Sequence, residues 1–223
     1  MLTDTQIESL AEKMNIPLAT VCFKDDLLYF KKITYNKGYI INLQDSHDEN
    51  GNPNSGSHYT ALYVKKYDNG TIEPIFFDPF GVEPSESIKK FVKKFTGKYL
   101  PYTKKDIQSL LNFSCGFFCL AFLYYISSPT FQYRPQNTTL YENVEGFLDL
   151  FDDLNKSTDF KGNEFVLRHF FRSEDPKLRK EIDVISQPNR ILTEDEKPNN
   201  EEAFEFSLKV NNKGDVVRGV NSI

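Results

Sequence analysis

The sequence predicts an α+β fold, and three observations carry that reading. Two runs rich in β-branched and aromatic residues, His58 to Val64 and Ile72 to Phe77, flank Asp68-Asn69-Gly70, a strong hairpin signal. The run CGFFCLAFLYYI from Cys115 to Ile126 is apolar on every side, which for a helix means central burial. Apolar residues recur at helical spacing on either side of these blocks, so helices flank the sheet. With 223 residues, 20 of them Phe and 12 Tyr, the chain can bury a core of its own.

Each element follows in turn. Ile7, Leu10, Ala11 and Met14 share one face of an opening helix, with Thr3 or Asp4 as its cap and Pro17 just beyond its end. Tyr39 to Leu43 reads as a short strand, and DSHDENGNPNSGS after it as a surface loop. The hairpin comes next and ends at Pro79 and Gly81. Ser85 to Phe95 resumes helical spacing, with Ile88, Phe91, Val92 and Phe95 on one face and lysines opposite. After the buried helix, a loop at 127–139 carries Pro129 and Pro135. A helix over about 140–154 follows, then a shorter one over Val166 to Phe171. Beyond Phe171 the chain is strongly charged until AFEFSLKV, NNKG and DVVRGV predict a last hairpin. The expected organisation is one domain over 1–171 and a charged extension over 172–223.

Composition excludes several function classes. A net charge of −5 argues against a surface devoted to nucleic acid. No apolar run approaches the roughly 18 to 20 residues that span a bilayer, and the first residues lack a basic and an apolar signal region. The expectation is a soluble protein with no membrane partner. Three cysteines, Cys22, Cys115 and Cys119, form neither a CxxC pair nor a disulfide framework, which fits a reducing compartment. With His47 and His169 at no ligand spacing, no metal or cofactor is expected.

A thiol is a strong nucleophile only as thiolate, a form favoured at a helix N-terminus or beside an imidazolium. Cys115 opens the apolar helix, so the unpaired amides and the positive end of the dipole point at its sulfur. Asn112 or Ser114 is placed to cap that end, and Gly116 leaves room for a substrate backbone. His58 stands at the head of a strand just after the long loop, where a ring can face a cleft. Asp78 ends the partner strand at the same end of the hairpin. Gln108, seven residues before Cys115, offers an amide that could join the Cys115 N–H in an oxyanion hole. Read alone, each residue has a plainer role: a core-filling cysteine, a structural histidine, a turn-forming acid and an ordinary loop glutamine.

The hairpin count separates His58 from Asp78. If Asp68 pairs with Thr71, Asp78 stands opposite Ala61, three residues from His58. That is about 10 Å along the strand, with an odd offset that faces the other side of the sheet. Contact then requires a bulge or a bend at Pro79.

In order along the chain, GSHYTALYV, FFDPFG, and Gln108 followed by SCGFFCLAFL resemble the adenovirus-type processing peptidases, the adenain family. The resemblance covers roughly three quarters of the chain, from the opening helix to about Phe171. It implies a papain-like or adenain-like peptidase fold, a central mixed sheet packed on a buried helix that begins at the catalytic cysteine. It also implies Cys115 as nucleophile, His58 as general base and later acid, Asp78 as the group orienting His58, and Gln108 as oxyanion donor. Tyr59 stands where the family usually has Trp, so it would form a wall of a narrow substrate groove that favours Gly at the cleavage site. Asp78 stands where adenain has Glu, a substitution also seen in ubiquitin-like-protein peptidases.

The implied function is a viral thiol endopeptidase that cleaves capsid or core precursors during maturation, in the virion and in the host-cell cytoplasm or viral factory. Virophages, Polinton-type elements and large DNA viruses carry such enzymes. An isopeptidase for ubiquitin-like modifiers is the alternative, and an inactive assembly scaffold on the same fold is a third reading. Adenain itself is activated by DNA and by a peptide that is disulfide-bonded to a cysteine upstream of the nucleophile. Here KYLPYTKKDIQ has no cysteine, which excludes a disulfide-tethered activator at that place. A strand over 203–210 could instead extend the sheet in cis. Lys89, Lys90, Lys93 and Lys94 belong to a run of seven lysines over 89–105, either a solvated helix face or a patch for viral DNA.

Overall fold

Four strands form a mixed sheet in the order β1-β2-β3-β4: β1 (Leu18–Phe23), β2 (Gly38–Asn42), β3 (Tyr59–Lys66) and β4 (Ile72–Phe77). β1 runs parallel to β2, and β2, β3 and β4 alternate antiparallel. The computed structural model describes residues 2–109, 113–129, 131, 138–156 and 160–171, together with the short strands at 209–210 and 216–217. The fold is α+β. Its helices are α1 (Asp4–Lys13), α2 (Glu86–Thr96), α3 (Cys115–Ser127), α4 (Leu140–Leu148) and α5 (Phe160–Phe170), with a 3₁₀ turn at Asp26–Tyr29.

Alternation along the strands divides the core in two. Ile40, Ala61, Tyr63, Ile75 and Phe77 face α1, α3, α4 and α5, whereas Tyr39, Ile41, Leu62, Val64 and Phe76 face α2 and the 3₁₀ turn. α3 has ten of its thirteen residues buried, as an all-apolar helix must. Its Phe122 stacks on Phe77 with ring centroids 4.4 Å apart, and Phe147 of α4 meets both rings edge-on. This aromatic cluster ties the helix that opens at Cys115 to the strand that ends beside Asp78. Truncating such a ring to Ala costs about 3–5 kcal/mol, a large share of a domain's stability.

α1 begins in a capping box, with Thr3 accepting from the Gln6 N–H and Gln6 accepting from the Thr3 N–H. Several expectations change. β1 and the 3₁₀ turn are additional elements. α4 stops at Leu148, because the Leu150 and Phe151 amides turn back to the carbonyls of Phe147 and Leu148. α5 starts at Phe160, six residues earlier than Val166. Lys209–Val210 pairs antiparallel with Val216–Val217 in a separate two-stranded ladder. The described part of the 203–210 segment is therefore not a strand of the main sheet, and the rest of it lies outside the described residues.

The hairpin register differs from the count by one residue. Tyr67 rather than Asp68 pairs with Thr71: its N–H donates to the Thr71 carbonyl at 2.9 Å, and its carbonyl accepts from the Gly70 N–H at 2.9 Å. Ala61 accordingly faces Phe77. Continued by one residue, that register sets Asp78 against Thr60, two residues from His58 and on the same face of the sheet. The three-residue loop does what a bulge at Pro79 was expected to do.

Candidate active site

The ends of β2, β3 and β4 lie together at one edge of the sheet, and the residues just past those ends build the site. The Leu43 N–H donates to the His58 carbonyl at 2.9 Å, which continues the β2–β3 pairing to the histidine. Asn42, buried, accepts from the Ser57 N–H at 3.3 Å and the Gln44 N–H at 3.0 Å through Oδ1. The long loop is thereby fixed where it delivers His58.

Asp78, only 1% exposed, is held in the turn that follows β4. Its Oδ1 accepts from the Phe80 N–H at 2.9 Å, an arrangement that Asp favours in turns. The same oxygen accepts from His58 Nε2 at 2.8 Å. Gly81 closes the turn at φ +70°, and a Cβ there would stand 2.5 Å from the Lys104 carbonyl oxygen. Glycine is required on both counts. The Phe80 ring stacks on the His58 ring, with centroids 4.5 Å apart and planes 21° from parallel.

Segment 101–108 runs beside β4 and carries Gln108 into the site. Phe76 donates to the Pro101 carbonyl and Thr103 donates to that of Phe76, and the amides of Ile107 and Gln108 both bond to the Pro79 carbonyl. Gln108 is buried next to the turn that holds Asp78.

Cys115 is the first residue of α3 and is 2% exposed. Burial disfavours charge on His58, but the bond to Asp78 and the proximity of Cys115 outweigh it and raise the pKa to about 9. Nε2 is committed to Asp78, so Nδ1 is the nitrogen left to face sulfur. The site thus joins the Cys115 sulfur at a helix N-terminus, an imidazole that keeps its proton at neutral pH, and a buried carboxylate on the far side of that ring.

The other two thiols are held protonated. Burial, then the carboxylates of Asp26, Asp4 and Asp25, push Cys22 up to about 12. Cys119, one turn beyond Cys115, is pushed well up by burial first and then by Cys115 and Asp78.

Three expected roles meet a different geometry. The Ser114 hydroxyl donates to Glu164 at 3.2 Å and does not cap α3, and Asn112 lies outside the described residues. Gly116 faces α1 rather than a groove: a Cβ would meet Ile7 Cδ1 at 3.3 Å and Leu2 Cδ1 at 3.4 Å. Its lack of a side chain serves helix packing. Tyr59 is 3% exposed, with its hydroxyl bonded to Asp4, so its ring forms part of the core and not an open wall. Lys89, Lys90, Lys93 and Lys94 lie on α2, which packs on the face of the sheet opposite α3. Lys89 pairs with Glu86 at 3.1 Å and Glu83 at 3.5 Å, which offsets part of that positive charge.

Phe80 and Asn42 are site residues that the sequence reading passed over. An aromatic two residues after the candidate acid was the available signal for Phe80. Asn42 offered none, because its role depends on where the loop returns. A scan against models of protein families returns no match, and a search of curated proteins also finds none. Among the described residues, no cluster of His, Cys, Asp and Glu could hold a metal ion, and no helix is long and apolar enough to cross a membrane.

Proposed function

We propose that the chain is a thiol endopeptidase of the adenain type that cleaves capsid or core precursor proteins at Gly-containing sites. The observation that supports a thiol peptidase is the bond from His58 Nε2 to the buried Asp78, with Cys115 at the head of α3 near enough to act on the same ring, and the substrate class is what the resemblance implies. In this mechanism Cys115 Sγ attacks the scissile carbonyl, and the thiol proton is held on His58 Nδ1. The tetrahedral intermediate collapses to a thioester as Nδ1 protonates the departing amine. Water, activated by the same nitrogen, then attacks the thioester, releases the carboxylate product and restores the thiol.

Asp78 holds the ring by Nε2–H, so Nδ1 stays directed at sulfur and leaving group. The Cys115 N–H and the Gln108 amide are the donors for the oxyanion. The preference for glycine at the cleaved bond is what the resemblance to the adenain family implies.

The test is incubation of the purified protein, and of its Cys115→Ala variant, with capsid precursor and with a Gly-Gly-terminated ubiquitin-like modifier. Cysteine-dependent cleavage of the precursor at Gly-containing bonds is the expected result. Selective cleavage of the modifier would instead mark a deconjugating peptidase. Identical, cysteine-independent outcomes for both proteins would leave an assembly scaffold.

A further inference from the structure

We propose that Tyr59 is a positioning residue that fixes the separation of His58 and Cys115, and that Asp4 of the opening helix acts through it. This inference rests on the peptidase reading of the same site. Tyr59 follows His58 directly, so whatever holds its backbone holds the base.

Three elements grip Tyr59. In the sheet it pairs with Asn42 of β2. Its carbonyl accepts from Cys119 Sγ at 3.3 Å, and Cys119 lies one turn after Cys115 on α3. Its hydroxyl donates to Asp4 Oδ1 in the first turn of α1. α1 completes a bracket, because Leu2 and Ile7 pack on Gly116, the residue after the nucleophile. One short stretch of chain therefore touches both the strand that carries His58 and the helix that carries Cys115.

The hydroxyl is what needs explaining. A ring that only filled the core could be Phe, whereas a buried phenol must find a partner or cost about 1–3 kcal/mol. Here the partner is a carboxylate on a different element, which fixes direction as well as distance. Burial and then Asp4 push the Tyr59 phenol upward, and burial does the same to the Cys119 thiol. Both links therefore use donors that keep their protons at neutral pH. The titratable groups around the bracket are His58 just before β3, Asp78 past β4, Asp4 on α1, and Cys115 and Cys119 on α3.

The experiment follows Cys115 alkylation by iodoacetamide from pH 5 to 9 in the full-length protein and in Tyr59→Phe, Asp4→Ala, Asp4→Asn and Gln6→Ala. Tyr59→Phe and Asp4→Ala are expected to shift the pH profile and slow alkylation at neutral pH by about tenfold. Asp4→Asn still accepts from the phenol and should restore the rate to within about threefold of wild type. Gln6→Ala frays the same helical turn without touching Tyr59, and should leave the profile unchanged. Unaltered profiles in Tyr59→Phe and Asp4→Ala, beside a fast wild-type Cys115, would overturn this inference alone. A Gln6→Ala profile that matches Asp4→Ala would also overturn it. A wild-type Cys115 no faster than Cys22 would overturn this inference and the peptidase reading together.

Discussion

Asp78 Oδ1 accepts two hydrogen bonds at once, from His58 Nε2 at 2.8 Å and from the Phe80 N–H at 2.9 Å. One oxygen thus shapes the turn after β4 and orients the histidine, so the turn and the imidazole are set by the same atom. Asp78→Asn separates these tasks, since an amide oxygen can keep the Phe80 bond but carries no charge for an imidazolium. The expected result is a loss of at least about 100-fold in kcat/KM, with thermal stability changed far less. Peptide-cleavage kinetics beside a thermal melt check it.

The raised His58 pKa makes stability fall with rising pH. The folded protein holds this proton up to about pH 9, whereas the unfolded chain releases it near the ordinary value of 6.5. Counted at His58 alone, the native state binds more protons between those limits, so this residue's contribution is complete below 6.5 and is lost as pH rises through 9. Urea unfolding at a series of pH values should show this decline, and His58→Ala should flatten it. Peptidase activity should fall over the upper part of the same window, because an unprotonated ring cannot protonate the leaving amine.

Phe80 lies flat against His58, and the expected effect of removing it is modest. Stacked aromatic pairs contribute about 0.5–1.5 kcal/mol beyond burial, so Phe80→Ala should lower kcat/KM by about two- to tenfold. Phe80→Tyr, which keeps the stack, should stay close to wild type. Steady-state kinetics on both variants distinguish the stack from simple bulk.

Gly81→Ala should destabilise the fold by about 1–3 kcal/mol, since it forces a side chain into left-handed backbone. The added methyl would also stand 2.5 Å from the Lys104 carbonyl oxygen. A lower urea midpoint at unchanged slope is the expected signature. Because the same turn holds Asp78, activity should fall with stability.

The fold and the site were legible to different depths. α3 was plain from sequence because an apolar run of its length has few other places to go. The capped opening helix and the hairpin turn were plain for local reasons. Register was not: Asp68-Asn69-Gly70 serves either a two- or a three-residue loop, and the choice reverses which face every later residue of β4 takes. That single step decides whether Asp78 shares a face with His58. β1 was missed because it is an edge strand, mostly half-buried, without a clean alternation. Tyr59 and Gly116 directly follow the chemical residues in sequence, which by itself suggests substrate contacts. Their side-chain positions face α1 instead, and how α1 docks is a tertiary fact that no local pattern encodes.

The most direct test compares the three cysteines of the native protein as nucleophiles. Cys22 and Cys119 are held as thiols by burial, whereas Cys115 opens α3 beside a protonated His58. Brief treatment with iodoacetamide at pH 7, with each site quantified by peptide mass spectrometry, should alkylate Cys115 at least about 100-fold faster than Cys22, and His58→Ala should abolish that advantage. Equal rates at Cys115 and Cys22, or a Cys115 rate indifferent to His58→Ala, would contradict the account.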